Sequence, residues 1–331
     1  MHGRRWLYRR MWPAALAAAI TLLTAAPAQA AAAGTITLNP FAHEFPEGIA
    51  LDQHGNTFVS LAPLGEIREI AADGSQSTVA HLSPPGRGFG PVGLALDGRG
   101  DLFVAVATFD PATGGVFEIA TSGAVTRFPG SERIGLPNGL AFDDRGALYA
   151  TDSLNGAVWR LTPGTPATLL VQDPLLAGDG SFGVGVPLGA NGIAYRDGGL
   201  DVTVTELGRI VRIPISAGGT AGPLQVVKAG AQLIGADGCQ FDVHGTLYIA
   251  LNVQNKLVRL APDGALTVLA TAADGLDFPA SPLFGTGRGD RKTVFVTNFA
   301  LGHTNPADAH PGVLSFAAGV PGMPLPNGGA F

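Results

Sequence analysis

The chain has 331 residues, 20 Lys+Arg against 26 Asp+Glu, a formal net charge of −6 and one cysteine. With no basic block anywhere, nucleic acid and anionic lipid surfaces are excluded as partners. A single cysteine excludes an intrachain disulfide, and Cys239, in the apolar run Gly238-Cys239-Gln240-Phe241, reads as a buried, inert thiol.

Residues 1–30 read as an export leader rather than as part of a fold. Arg4, Arg5, Arg9 and Arg10 form a cationic start, and Trp12 to Ala26 is an apolar stretch too short to span a bilayer. Ala28-Gln29-Ala30 supplies the small-x-small pattern that a signal peptidase reads, so cleavage is expected near Ala30. No second long apolar stretch follows, and residues 31–331 are expected to form one secreted or periplasmic domain without stable membrane insertion.

From there the chain repeats itself. Pro46-Glu47-Gly48-Ile49-Ala50-Leu51-Asp52, a glycine at 55 and Thr57-Phe58-Val59 make the first unit. The pattern returns at Pro91-Val92-Gly93-Leu94, Pro137-Asn138-Gly139-Leu140, Ala190-Asn191-Gly192-Ile193 and Ala236-Asp237-Gly238-Cys239, and more weakly at Pro279-Ala280-Ser281-Pro282. Each unit opens with a short strand, turns at Asp-x-x-Gly or a variant of it, and returns as an aromatic and β-branched strand. A second hairpin follows, as in Ile67-Arg68-Glu69-Ile70 before Asp73-Gly74 and Leu257-Val258-Arg259-Leu260 before Asp263-Gly264. Four strands in about 45 residues is the period of a propeller, and six units predict an all-β, six-bladed β-propeller. The last unit lacks a fourth strand after Val313–Phe316, and Thr35–Leu38 stands unpartnered before the first. The N-terminal strand is therefore expected to close the last blade.

In a propeller the first strand of each blade lines the channel, so the residue just before it sits at one mouth. Reading that position around the ring gives Glu47, Val92, Asn138, Asn191, Asp237 and Ala280. Four of the six are oxygen donors, a set suited to a hard divalent cation: Ca²⁺ first, with Mg²⁺, Mn²⁺ or Zn²⁺ as lesser alternatives. The competing reading is local, because Asn-Gly and Asp-Gly are ordinary turn dipeptides.

The run Pro137-Asn138-Gly139-Leu140-Ala141-Phe142, continuing to Leu148-Tyr149-Ala150-Thr151-Asp152-Ser153, resembles the regucalcin/gluconolactonase family, also called SMP-30. So do Glu47-Gly48 and Asp237-Gly238, and the likeness spans essentially the whole chain after the leader. The resemblance implies a calcium-dependent propeller lactonase whose metal is held by Glu47, Asn138, Asn191 and Asp237, with Asp237 also the general base. One departure stands out. Sugar-lactonase members carry an arginine two residues before the third-blade asparagine, where this chain has Leu136, which favours a less hydroxylated substrate.

Return strands run back to the same mouth, which makes Asp152, Glu206, Asn252 and Asn298 candidates for orienting substrate or the metal ligands. His303 and His310 lie on the long sixth-blade loop, and His303 is a candidate proton shuttle weighed against an ordinary solvated histidine. His54 and His244 fall in turns at the opposite face. Phe103, Tyr149, Tyr248, Phe295 and Trp159 read as packing between blades. The expected function is metal-dependent hydrolysis of a lactone or related ester by a monomer acting on a small molecule. The alternative is a non-catalytic, NHL-type binding propeller with a structural metal or none. A metal-independent lyase is a third, less suited to four converging oxygens.

Overall fold

The computed structural model describes residues 34–325; the leader and its cleavage site lie outside them. Six four-stranded antiparallel sheets form the blades of a propeller. The inner strands, which carry the repeat, are Pro46–Leu51, Gly90–Leu96, Pro137–Phe142, Ala190–Arg196, Ala236–Phe241 and Pro279–Phe284. In five blades the second, third and outer strands follow in sequence order. In the sixth the outermost strand is Gly34–Thr37, paired antiparallel with Gly312–Ala317 from Gly34↔Ser315 to Thr37↔Gly312. The expected closure of the ring by the N-terminal strand is what the register shows.

The turns at the far ends of the inner strands explain why Asp-x-x-Gly recurs. Asp97 Oδ1 accepts the N–H groups of Arg99 (2.9 Å) and Asp101 (3.0 Å), and Asp143 Oδ1 those of Arg145 and Ala147 (both 2.9 Å). Asp52 and Asp242 do the same in their blades. Each aspartate satisfies backbone donors that the tight turn would otherwise strand.

Between the blades lies an aromatic and aliphatic core. Phe103 meets Phe142 edge-on at 5.1 Å, and Tyr248 meets Phe284 at 4.9 Å, each pair joining adjacent blades. Tyr149 is fully buried with its hydroxyl 3.1 Å from Asp143 Oδ2; burial and that neighbouring carboxylate push the phenol up to about 12. Cys239 is buried, and burial followed by the charges of Asp201 and Asp237 raises its thiol pKa, so the reading of an inert thiol holds. Along the axis the inner strands enclose a narrow cavity of about 150 Å³, lined by residues such as Ile49, Leu94, Leu140 and Ile193. Leu325 lines both that cavity and the groove beside the Asp-x-x-Gly turns of blades one and two.

Candidate metal centre and its mouth

Every inner strand carries a register shift at its start, between Pro46 and Ile49, Pro91 and Leu94, Pro137 and Leu140, Ala190 and Ile193, Ala236 and Cys239, and Pro279 and Pro282. The six column residues sit in these bulges. A bulge re-aims a side chain that a regular strand would point straight out from the sheet face. Asn-Gly and Asp-Gly are thus not turns here. The glycine that follows is needed because blades crowd at the axis. A Cβ on Gly48 would lie 2.2 Å from the carbonyl oxygen of Val92, and one on Gly139 would lie 2.5 Å from that of Asn191. The same crowding recurs at Gly93, Gly192 and Gly238, each against the column residue of the next blade.

A hydroxyl locks these contacts in four blades. Ser60 Oγ donates to Val92 O (2.7 Å), Thr151 Oγ1 to Asn191 O (2.5 Å), Thr203 Oγ1 to Asp237 O (2.7 Å) and Thr297 Oγ1 to Glu47 O (2.7 Å). Ser60, Thr151 and Thr297 also accept an N–H from the bulge of their own blade, at Gly48, Gly139 and Ser281. Three of the four candidate metal-holding residues therefore have their backbones clamped by the preceding blade. In blades two and five the equivalent residues are Ala105 and Ala250, which leaves the Asn138 and Ala280 carbonyls without such a clamp.

Three of the four column side chains lie together: Glu47 feels the charge of Asp237, and Asn191 donates a hydrogen bond to Asp237. Glu47, Asn191 and Asp237 are buried, and Asn138 is half-buried. The Asp237 carboxyl is pushed up to about 7, chiefly by burial, against the pull of hydrogen bonds from Asn252, Asn191 and the Gly238 N–H. Glu47 is raised well above the usual carboxylate range by burial and then by the charge of Asp237. Glu47 Oε2 is buried with no hydrogen-bond partner. Asn252 Nδ2 holds Asp237 Oδ2 at 3.1 Å. Asn191 turns its Nδ2 to Thr205 Oγ1 (3.0 Å), which leaves its amide oxygen available to a ligand. Two neighbouring buried carboxylates, one with an orphaned oxygen, are the donor chemistry that a divalent cation satisfies. Among the described residues no group of three or more His, Cys, Asp or Glu side chains is arranged to hold a metal. The donor set in the column is instead two carboxylates and two amides.

The other candidates serve the loops around the mouth. Both Asp152 oxygens accept backbone N–H groups, from Gly135 (2.9 Å), Leu136 (3.1 Å) and Asn155 (3.2 Å). Glu206 accepts those of Asp179 (2.8 Å), Gly180 (2.7 Å) and Phe182 (3.2 Å), shaping the long approach to the fourth blade. Asn298 ties Asp277 N, Gly275 O and His310 O together. His303 Nε2 lies 2.8 Å from Asp277 Oδ1, and the backbone N–H of His310 donates to Asp277 Oδ2 at 2.9 Å, so both residues fasten the sixth-blade loop to one carboxylate. Asn252 is the member of this group that hydrogen-bonds a column side chain, Asp237.

One ring of residues escaped the sequence reading. Two positions before each column residue stand Phe45, Gly90, Leu136, Gly189, Gly235 and Phe278. The structure makes them equivalent. The carbonyls of Phe45, Leu136, Gly189, Gly235 and Phe278 each accept an N–H from the residue just after the return strand, and Gly90 pairs with Ala107. Gly90 (φ 78°) and Gly235 (φ 81°) are left-handed, as is Phe278 (φ 46°). For a bulky side chain that conformation costs roughly 1–2 kcal/mol. It is held by Asn255 Oδ1, which accepts the Phe278 N–H at 2.7 Å, and by the Phe299 N–H on its carbonyl at 3.1 Å.

No protein-family model matches the sequence, and no curated protein sequence matches it. Similarity appears in three dimensions. The calcium-binding protein regucalcin from Agrobacterium tumefaciens superposes with a TM-score of 0.63 at 19% identity, over 89% of this chain and 98% of that one. A gluconolactonase from Xanthomonas campestris gives 0.61 at 15% identity, over 87% and 91%. Virginiamycin B lyase from Staphylococcus aureus gives 0.58 at 16% identity, over 80% and 82%. These likenesses establish the six-bladed propeller and leave the chemistry to the residues at the mouth.

Proposed function

We propose that the protein is an exported, metal-dependent hydrolase that opens a lactone or a related ester. The observation that carries this reading is the pair of buried carboxylates, Glu47 and Asp237, with Glu47 Oε2 unpartnered beside the amides of the same column. Glu47, Asn138, Asn191 and Asp237 would hold the cation, calcium being the first choice for an all-oxygen set. The calcium-binding character of regucalcin and the lactone chemistry of gluconolactonase, both on this fold, support it. When bound, a divalent cation supplies Lewis-acid polarisation of the substrate carbonyl.

The protein's own groups do the rest. Asp237 takes the proton from the attacking water as the carbon–oxygen bond forms, and returns it to the alkoxide as the ester bond breaks. Asn252 fixes the orientation of that carboxylate through Oδ2. The clamps from Thr203 and Thr297 hold the Asp237 and Glu47 backbones in place, so little rearrangement accompanies the reaction. Calorimetric titration of chelator-treated protein with calcium, followed by a panel of lactones and aryl esters, tests the proposal. One tight site and calcium-dependent turnover are expected. Neither binding nor turnover would return the protein to the class of binding propellers.

A further inference from the structure

We infer that the mouth selects a lactone or ester bearing an apolar alkyl arm, seated against Phe45 and Phe278 beside Ala280. The inference rests on the hydrolase reading and specifies its substrate. The column is not uniformly polar. Its two positions without an oxygen, Val92 and Ala280, each belong to an apolar cluster: Val92 with Leu136, and Ala280 with Phe45, Phe278 and Phe299. The ring two residues above the oxygens is wholly apolar or glycine, so a polyhydroxylated substrate would meet no hydrogen-bonding side chain from it. The polar groups at the ends of the return strands are already engaged: Ser153 Oγ with Ala190 O, Thr205 Oγ1 with Ala236 O, and Asn252 with Asp237.

Phe278 singles out the blade-six side of the mouth. It adopts the left-handed backbone conformation that Gly90 and Gly235 take at the same position in two other blades, it keeps part of its surface open, and its ring packs 6.3 Å from that of Phe299. Backbone strain retained under several hydrogen bonds, where glycine would relieve it, is a mark of a functional position. An aromatic side chain there gives the alkyl arm an apolar wall next to the oxygen set, at the point where the ring of donors is open.

The test uses calcium-loaded protein and lactams, which keep the ring shape and resist hydrolysis. Binding of a pentyl-substituted δ-lactam, unsubstituted δ-valerolactam and the polyhydroxylated gluconolactam is measured by calorimetry, alongside turnover of the matching lactones. The pentyl lactam is expected to bind about tenfold or more tighter than gluconolactam. Phe278→Gly should lose most of that advantage, weaken the armless δ-valerolactam far less than the pentyl lactam, and melt within a few degrees of the parent. Phe278→Leu should retain the preference. Equal binding of the two substituted lactams, no lactam binding at all, or a pentyl affinity untouched by Phe278→Gly overturns the inference. So does a collapse of stability in Phe278→Gly, which would make the ring a structural wedge. Turnover without this selectivity leaves the hydrolase standing and removes the inference alone. The full binding pattern without turnover of either lactone upholds the selectivity and removes the hydrolase.

Discussion

Carboxylates are buried at both ends of the inner strands, and the two sets behave in opposite ways. Asp97, Asp143 and Asp242 at the far turns are 2%, 5% and 2% exposed; Glu47 and Asp237 at the mouth are 5% and 6% exposed. Burial is therefore the same, and partners make the difference. Each turn aspartate is given two backbone N–H groups by the turn it closes. At the mouth Glu47 leaves an oxygen unpaired, and Asp237 raises its charge cost further. The first arrangement builds the fold, whereas the second holds an unmet demand for positive charge.

That contrast breaks most visibly in activity. Asp237→Asn should lower hydrolysis about a thousandfold while the fold survives, as read by lactone turnover beside a melting curve. Asp143→Ala should do the reverse. It loses two backbone hydrogen bonds and the Tyr149 contact, costing about 2–3 kcal/mol in urea denaturation, with calcium affinity little changed.

Glu47→Gln sharpens the comparison. Removing one of two like charges should hold or raise the melting temperature of the chelated protein while calcium affinity falls about tenfold. A melting temperature that drops in the chelated state would show Glu47 to be a structural group.

The pH dependence follows from the same shifts. Asp237, at about 7 when folded, and the raised Glu47 keep their protons longer in the native state than in the unfolded chain. Their contribution is fully present below the ordinary carboxylate range and is lost as pH rises through about 7, because the native state binds the extra proton in that window. Chelated protein should therefore lose stability between about pH 4 and pH 8, and saturating calcium should flatten the decline. The smallest effect belongs to Val92→Ala, at the same column without a donor, whose calcium affinity should match the parent.

The repeat made the blades and the column readable, because a residue type recurring at one offset in six units needs no contact map to be aligned. Glu47, Asn138, Asn191 and Asp237 stand out as candidates that way. The clamps were within reach of the same method: Ser60, Thr151, Thr203 and Thr297 share one offset in the return strands, but hydroxyls in strands carry no chemical flag. The bulge was hidden, since Asn-Gly is equally good turn grammar, and only backbone crowding distinguishes the two. Asp152 and Glu206 were placed at the mouth by strand direction, yet what their oxygens accept depends on irregular loops that no periodicity describes. In the sequence Leu136 stands out singly. Its ring, with Phe45 and Phe278, becomes meaningful once the carbonyl pairings show six equivalent positions.

The strand that seals the last blade ties the two ends of the described chain together, with Ser315 Oγ bonded to Gly34 O across 281 residues. Contact order is therefore at its maximum at the seam, and the ring cannot be completed until the final blade exists. A circular permutant that moves Gly34–Thr37 to follow Gly312–Ala317 would turn this longest pairing into a local hairpin. It would gain folding speed from the lower loop-closure entropy without altering one residue of the mouth.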